Sequence, residues 1–421
     1  MFPNSPTDDQ ADVASEVHSY VSRNRNVAIS MLQDLIRVPS DNPPGDCNRH
    51  ANAVLEQLEK LGLTIERHTI PEEQIRQYGM ISACNLIVRH KFGDGPTIAL
   101  VTHGDVVPPG KGWTVDPYGG EIRNGWIYGR AATASKSDIV TYAFALLALK
   151  DINRDLAGSI ELHITYDEEI GGELGPKKLL ADNVTAPDMV IYAGVTHQVV
   201  TAHNGCLHLQ VDIQGKSSHA ARPEFGHDAI EAATAVLNRL YEERDRLREA
   251  KSTTPGIMCP TLVVGIISGG INTNVVPDRV VLRIDRRIIP EENGQSVASG
   301  LRSLIERATE HLPGIQCSTE VLMLAEPLTS LPGQAQLVQA IAESGESITG
   351  TALKIGGAPI YTDARHYSAV GIPTVLYGAG PLDPADGNAH GPNEKLKLSD
   401  LFVAIEVVAL ACSKLLVKPT V

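Results

Sequence analysis

Apolar residues recur at helical spacing near the start of the chain, and short apolar runs follow them. The spacing of valine, leucine, isoleucine and methionine predicts an amphipathic helix over 11–37. Proline and glycine in 38–45 end that helix. Further helices are predicted at 48–62 and 138–150, and strands at 64–69, 84–90, 97–102, 160–166 and 188–193. Near-continuous apolar strands that alternate with helices are typical of an α/β domain whose sheet is covered on both faces.

The pattern changes at Cys206. From there it predicts strand 206–214, helix 226–248, strands 260–267 and 279–287, helix 293–311 and strand 315–323. This β-α-β-β-α-β order is that of a ferredoxin-like α+β domain. After it, residues 325–421 return to mixed helix and strand. We therefore predict an α/β domain in two parts, 1–205 and 325–421, with the α+β domain inserted at 206–324.

Composition and charge narrow the range of partners. The 421 residues are 43% hydrophobic and 20% charged, which is typical of an ordered globular protein. A net charge of −14 disfavours nucleic acid and anionic membranes as partners. The six cysteines are scattered and form no CxxC pair, so neither a disulfide framework nor a cysteine zinc site is indicated. With no signal peptide and no long apolar stretch visible, we expect a cytoplasmic protein.

The predicted strand 160–166 ends in three consecutive carboxylates. Asp167, Glu168 and Glu169 follow it directly, and Gly171–Gly172 then turns the backbone. Like charges this close cannot all stay ionised unless a cation or a proton lies among them. Successive side chains at a strand end point in different directions, so the two glutamates can serve different tasks. One could bind a metal while its neighbour handles a proton, although two or three adjacent carboxylates can also form a solvated turn.

Two histidine motifs strengthen the interpretation of this stretch as a catalytic centre. His103 follows strand 97–102, at the carboxyl end where open α/β sheets place their sites. Asp105 is spaced to hold the other ring nitrogen of His103, which fixes a metal-binding tautomer. His390 lies in a second motif, 388–394. Each motif is weak alone, but their order and spacing together with the carboxylates predict a metal-dependent site.

With these motifs the chain resembles the zinc aminoacylase, acetylornithine deacetylase, succinyl-diaminopimelate desuccinylase and carboxypeptidase-G family. The resemblance covers nearly the whole chain and includes His103–Pro108, Gly112–Trp113, Asp116–Tyr118, Tyr128–Arg130, Asp167–Gly172, Gly215–Ala220, Asn274–Asp278, Thr362–Arg365 and Ala389–His390. It implies a catalytic α/β domain with an inserted ferredoxin-like lid domain that also dimerises. We therefore expect a homodimer or a higher homo-oligomer formed through the lid domain.

The resemblance also implies roles for residues that match the family's motifs. His103 would be a metal ligand oriented by Asp105, and Glu168 the general base that activates water. Glu169 and His390 would share a metal position.

Three further residues lie in the inserted domain, and the resemblance assigns them to the substrate. His219 would reach the reacting oxygen across a dimer, while Asn274 and Arg287 would bind the substrate. The forked guanidinium of Arg287 suits a carboxylate.

Two positions depart from the family's ligand set. Ala134 stands where family members carry an aspartate that bridges two zinc ions. A second carboxylate ligand falls in 193–196, where this chain has Ala-Gly-Val-Thr. Without the bridge, two cations a few ångströms apart would repel each other with little compensation. We therefore predict one divalent metal ion per chain, Mn or Zn.

The ligands that remain for this ion are His103, Glu169 and His390. Two imidazoles and one carboxylate, with open positions, are typical of a single Zn, Mn or Fe ion. His197 or His203 could replace a lost ligand, but a structural or substrate-facing role is favoured for each.

The predicted reaction is hydrolysis of a carbon–nitrogen bond in a small carboxylate-bearing molecule, by metal-activated water with Glu168 as the base. The altered ligand set leaves an alternative, an aminohydrolase that releases ammonia from an aromatic amino acid such as a nitroanthranilate. Two further alternatives are a two-metal peptidase with substitute ligands and a binding protein that kept the fold and lost catalysis.

Overall fold

The computed structural model describes residues 8–152, 154–381 and 383–417. The helices are α1 (Asp8–Ile36), α2 (Asn48–Lys60), α3 (Glu72–Gln77), α4 (Lys136–Asp151), α5 (Pro176–Ala181), α6 (Ala229–Leu247), α7 (Gly294–Thr309), α8 (Gln334–Thr349), α9 (Ala364–Ala369), α10 (Pro384–Gly387) and α11 (Leu398–Leu415). The strands are β1 (Ile65–Thr69), β2 (Cys84–Lys91), β3 (Thr97–His103), β4 (Glu121–Arg123), β5 (Trp126–Tyr128), β6 (Ser159–Thr165), β7 (Met189–Tyr192), β8 (Gln198–His203), β9 (Gly205–Gln214), β10 (Thr261–Gly269), β11 (Arg279–Ile288), β12 (Gln316–Ala325), β13 (Lys354–Ala358), β14 (Thr374–Leu376) and β15 (Lys395–Lys397). The helices and strands predicted individually from the sequence all occur, with ends that differ by about three residues at most.

The chain forms two compact units. The first comprises Met1–Thr201, Ser330–Gly356 and His366–Val421, and the second comprises Ala202–Thr329 with Gly357–Arg365. Residues 357–365 join the second unit, although the insert predicted from the sequence ends at residue 324. Its role as a lid and dimerisation domain stays a prediction.

The larger sheet has eight strands in the order β1-β2-β6-β3-β7-β14-β8-β13. Strand β3 pairs in parallel with β6 and β7, and β7 pairs in parallel with β14. Helix α4 packs on β3 and β6, α2 on β1 and β2, and α8 on β14. Because β3 and β6 lie in the middle of this sheet, they are almost wholly buried, as their apolar sequences predicted.

The parallel register of β3 and β6 determines where the chemistry lies. His103, the last residue of β3, is opposite Thr165, the last residue of β6. The segment that carries the three carboxylates begins directly after β6, so it starts beside the histidine. Side chains that are more than 60 residues apart in sequence therefore meet at one edge of the sheet, at the carboxyl ends of its strands.

The second unit contains an antiparallel sheet in the order β10-β11-β9-β12. In chain order its elements are β9, α6, β10, β11, α7 and β12, which is the predicted ferredoxin-like arrangement. Alternate residues of β9, among them Leu207 and Leu209, are buried in a core shared with α6 and α7. Asp228 and Asn293 cap these two helices by accepting hydrogen bonds from backbone N–H groups of the first turn.

The architecture confirms the predicted fold class, an α/β domain with an inserted ferredoxin-like α+β domain. A small third sheet, ordered β15-β5-β4, completes it. In the part of the chain that the structure describes, no helix has the length and apolar character needed to cross a bilayer.

Candidate active site

His103, Glu168 and Glu169 form one cluster in the first unit. One potential ligand atom from each lies within 4.8 Å of the others. Nε2 of His103 is 3.9 Å from Oε2 of Glu168, and Nε2 of His390 is 3.6 Å from Oε1 of Glu169. The fold thus brings together the three predicted metal ligands and the predicted base, although His390 comes from a segment close to the C-terminus.

Asp105 holds the residues of this cluster in place through hydrogen bonds. Its buried carboxylate accepts hydrogen bonds from the backbone N–H groups of Glu168 and Glu169, at 3.2 and 3.1 Å. Asn42 donates a third hydrogen bond to it, at 3.0 Å. The same residue orients His103, whose Nδ1 is 3.0 Å from the Asp105 carbonyl oxygen and 3.3 Å from Oδ1. With Nδ1 held as the donor, Nε2 is left with its lone pair for a metal.

The electrostatics of the cluster are dominated by its carboxylates. Burial and the neighbouring Glu168 raise the pKa of Glu169 to about 9. Burial alone would lower the pKa of His103, but Glu168 and Asp105 raise it well above its usual value. Among the described residues, Oε1 of Glu169 is buried and has no hydrogen-bond partner.

These observations fit a divalent cation. The raised pKa values of Glu169 and His103 reflect the negative charge of the neighbouring carboxylates, which favours positive charge at this point. A metal ion supplies that positive charge and displaces protons from its ligands. The donors are imidazole nitrogens and carboxylate oxygen, a set that suits Zn or Mn.

The two positions that depart from the family's ligand set offer no carboxylate in the structure either. Ala134 precedes Ser135, whose hydroxyl donates to the His103 carbonyl at 2.9 Å. At Gly194, a Cβ would lie 2.8 Å from the Tyr377 nitrogen and 3.0 Å from the Leu376 carbonyl carbon. The backbone at this position therefore has no room for a carboxylate side chain unless the end of β14 moves.

Asp138 is a buried carboxylate that the sequence analysis missed. It lies in the first turn of α4, four residues after Ala134, and burial raises its pKa well above the usual range. Its Oδ1 accepts a hydrogen bond from the Ala379 N–H at 2.7 Å, and the Gly194 N–H also donates to it. Asp138 thus ties together two loops at the strand ends. An acid directly before the long apolar run 139–149 was the signal that could have revealed it.

A buried ion pair, Arg130 with Glu394, supports the loop that carries His390. Nη1 of Arg130 donates to Oε2 of Glu394 at 2.6 Å, and the other carboxylate oxygen accepts from the Thr133 N–H at 3.2 Å. Nη2 of Arg130 donates to the His390 carbonyl at 3.3 Å. Trp113 stacks against the guanidinium, with its ring centroid at 5.3 Å. Arg130 therefore positions the backbone of a proposed metal ligand without contacting the other ligands itself.

The two histidines considered as replacement ligands have other contacts. His203 is buried, with Nδ1 2.8 Å from the Asn204 carbonyl and Nε2 3.1 Å from the Thr362 hydroxyl. Burial lowers its pKa to about 4, so it is a neutral packing residue. Nε2 of His197 lies 3.7 Å from Oδ1 of Asp400. Neither belongs to the cluster of His103 and the two glutamates within the described ranges.

The three predicted substrate-binding residues all lie in the second unit. His219 and Asn274 occupy facing turns, in which the Asn274 carbonyl accepts from the Ala220 N–H at 3.0 Å. Arg287 lies in β11, where its Nε donates to Oδ1 of Asp285 at 3.0 Å.

Comparison with known proteins places the chain in a family. Residues 99–414 match the model of peptidase family M20/M25/M40. A succinyl-diaminopimelate desuccinylase of Gluconacetobacter diazotrophicus is 26% identical over 404 residues, covering 92% of this chain and 97% of the relative. An uncharacterized metallohydrolase of Methanocaldococcus jannaschii is 25% identical, with 90% and 97% covered.

Solved structures show the same fold. An M20 family metallo-carboxypeptidase from Sulfolobus solfataricus has a TM-score of 0.75 at 19% identity and covers 91% of this chain and 99% of its own. A dinuclear metal binding peptidase of the M20 family from Bacillus subtilis has a TM-score of 0.67 at 17% identity, with 94% and 99% covered. Because the family model matches most of its length, this chain belongs to peptidase family M20/M25/M40 and is a metal-dependent hydrolase of carbon–nitrogen bonds.

Proposed function

We propose that the protein hydrolyses an amide bond, of the N-acyl or peptide type, in a small substrate that carries a carboxylate. The reaction would take place at a single divalent ion, Mn or Zn. The observation that carries this proposal is the convergence of two histidines and two glutamates at the strand ends, next to two family ligand positions that offer no carboxylate. Desuccinylase relatives that match over nearly their whole length support the N-acyl type.

The ion would be held by His103, Glu169 and His390. When bound, a divalent ion lowers the pKa of water and polarises a carbonyl oxygen. Two other residues orient the proposed ligands. Asp105 sets the tautomer of His103, and Arg130 holds the backbone of His390.

Glu168 is the proposed general base. Its side chain is 13% exposed, and its backbone is held by the Asp105 carboxylate. From this position it takes a proton from the attacking water and returns it to the leaving nitrogen. Glu169 is proposed as a ligand because its buried Oε1 has no hydrogen-bond partner among the described residues and lies 3.6 Å from Nε2 of His390.

The substrate contacts in this proposal come from the second unit. Arg287 would pair with the substrate carboxylate through its guanidinium fork. Asn274 would bind the substrate, and His219 would stabilise the charge that develops on the reacting oxygen. Because the family resemblance implies that His219 acts across a dimer, a homodimer formed through this unit is part of the proposal.

The decisive test is the variant Glu168→Gln, assayed with N-succinyl and other N-acyl amino acids and with dipeptides. We expect turnover to fall by about 10²- to 10⁴-fold, because proton transfer is lost while the fold and the ligands are kept. Metal content, measured by elemental analysis, should be unchanged. Full activity in Glu168→Gln would refute the assignment of the base. His103→Ala is the matched control, since it should lose the metal together with activity.

One alternative reaction is favoured by a specific observation. Ala134 and Gly194 stand where the family resemblance implies carboxylate ligands, and the loss of that negative charge would favour a substrate with an acid group beside the metal, such as an aromatic amino acid. An aminohydrolase acting on a nitroanthranilate would then release ammonia. Adding aromatic amino acids to the same panel, with ammonia as the readout, separates the two reactions. Two metal equivalents that are both lost in His103→Ala would instead support a two-metal site.

A further inference from the structure

A second group of metal-ligating side chains lies in the second unit, on the two central strands of its sheet. Cys206 and His208 are on β9, and Asp285 is on β11 directly opposite His208. Leu207 and Leu209, which alternate with them, are buried against α6 and α7. Since side chains along a strand alternate between the two faces, the cysteine and the histidine lie together on the face that points away from these helices. We propose that these three residues form a second divalent cation site, built entirely from residues of the second unit.

The donor atoms already have the separations of a metal site. Nε2 of His208 is 3.0 Å from Oδ2 of Asp285, and Sγ of Cys206 is 3.6 Å from the same oxygen. All three donors lie within 4.8 Å of one another. In a tetrahedral zinc site with bonds of about 2.0–2.3 Å, neighbouring donors are roughly 3.3–3.8 Å apart. Side-chain shifts of less than about an ångström would therefore place an ion among them.

The chemistry of the donors selects the ion. Thiolate, imidazole and carboxylate together suit Zn²⁺, and Co²⁺ can occupy the same geometry. On binding, the Cys206 thiol releases its proton to solvent as the sulfur–metal bond forms, while His208 binds through its neutral Nε2. His208 and Asp285 are 40% and 30% exposed, so the ion and a water ligand can reach the site.

Arg287 holds the second carboxylate oxygen of Asp285, the one that does not face His208 and Cys206. Its Nε donates to Oδ1 of Asp285 at 3.0 Å, which leaves Oδ2 directed at the histidine and the cysteine. Such outer contacts orient a metal-binding carboxylate. Thiolate and carboxylate together balance the charge of a divalent ion. A bound cation would link β9 to β11 and hold Asp285, and with it the side chain of Arg287.

The test uses the full chain with His103→Ala and Glu169→Ala, which removes two ligands of the catalytic ion. We expect one equivalent of Co²⁺ to bind and to produce a sulfur-to-cobalt charge-transfer band in the near ultraviolet, and Zn²⁺ to abolish the band by displacing cobalt. Adding Cys206→Ser should eliminate the band. His208→Gln should weaken binding by more than the roughly 10- to 100-fold that second-shell changes cost.

The chain offers a matched control for the carboxylate. Asp212 on β9 pairs with Arg279 on β11, whose Nε donates to it at 3.0 Å. That pair has no place in the cysteine–histidine cluster. Asp212→Asn should therefore leave cobalt binding unchanged, whereas Asp285→Asn should abolish it. Cys317→Ser, in the neighbouring strand β12, controls for the thiol.

Two results would overturn the proposal. One is the absence of cobalt binding in the chain that lacks the catalytic ligands, which would leave His208 and Asp285 as a plain ion pair. The other is a charge-transfer band that survives Cys206→Ser. Neither readout depends on activity, so the outcome is independent of whether the proposed amide hydrolysis is correct.

Discussion

A buried carboxylate needs hydrogen bonds, a proton or a cation, and three acids of the first unit meet this need differently. Asp105 accepts from two backbone N–H groups and from Asn42. Asp138 accepts from the N–H groups of two loops. Oε1 of Glu169 is buried and accepts no hydrogen bond from the described residues, and Nε2 of His390 lies 3.6 Å from it. The first two acids therefore act as structural supports, and the third is the proposed metal ligand.

The support given by Asp138 can be measured. Asp138→Ala leaves the buried N–H groups of Ala379 and Gly194 without an acceptor, and each unsatisfied group costs about 1–3 kcal/mol. We expect the free energy of unfolding in urea to fall by about 2–4 kcal/mol. Asp138→Asn should lose less, because its amide oxygen still accepts from Ala379. An unchanged urea midpoint in Asp138→Ala would show that these hydrogen bonds do not hold the loops.

At the scale of elements, the long periodic segments were predictable and the short ones were not. Apolar runs predicted β3 and β6, and their parallel register places His103 beside the carboxylates. Strands β4 and β5 have three residues each, too few to show a period. Strand β8 is separated from β9 by Asn204 alone, so no turn signal marked its end. Periodicity therefore located the elements that carry the site but not those that frame it.

Arg130 and Glu394 join two such framing segments. Their side chains are only 1% and 0% exposed, so removing one partner leaves a buried charge without compensation. Breaking a buried pair in this way costs about 3–5 kcal/mol. Arg130→Met should lower the melting temperature and, because the His390 carbonyl loses its donor, reduce the metal retained on dialysis.

The double variant Arg130→Met/Glu394→Gln distinguishes the pair from the single residue. Removing both charges should restore part of the stability lost in Arg130→Met, as expected for directly coupled partners. The single variant Glu394→Gln completes the cycle. If the double variant lost as much unfolding free energy as the two single variants added together, the two side chains would not be coupled, and the loss in Arg130→Met would have another cause.

At the scale of the whole molecule, the sequence predicted an α/β domain interrupted by a ferredoxin-like domain. The prediction was possible because the order of helices and strands indicated by the hydrophobic pattern changes at Cys206. The sequence did not predict that 357–365 would join the second unit, since that assignment depends on contacts distant in sequence. Nor did it predict the Cys206–His208–Asp285 group, which requires the register of β9 with β11. Family motifs supplied the proposed ligands of the catalytic site, whereas the supporting contacts of Asp138 and Arg130 became visible only in the structure.

Global stability should also depend on a buried network in the large sheet. Glu161 in β6 accepts hydrogen bonds from Nε of Arg89 at 2.9 Å and from the Thr185 hydroxyl at 2.5 Å, and it lies 2.8 Å from Nε2 of His163. Burial opposes ionisation, but these partners outweigh it and lower the pKa of Glu161 from 4.5 to about 2. The network therefore favours the folded state only while this carboxylate is ionised.

The sign of the pH dependence follows from that lowered pKa. Between pH 4.5 and about 2 the unfolded chain takes up a proton at Glu161 that the folded chain does not, so stability falls as the pH falls through this window. Glu161→Gln lacks this titration. We expect its deficit in unfolding free energy to be of the order of 3 kcal/mol above pH 5 and to shrink towards pH 2. Urea titrations of both proteins across this range measure the difference, and a deficit that stayed constant with pH would show that Glu161 is not stabilised as an anion.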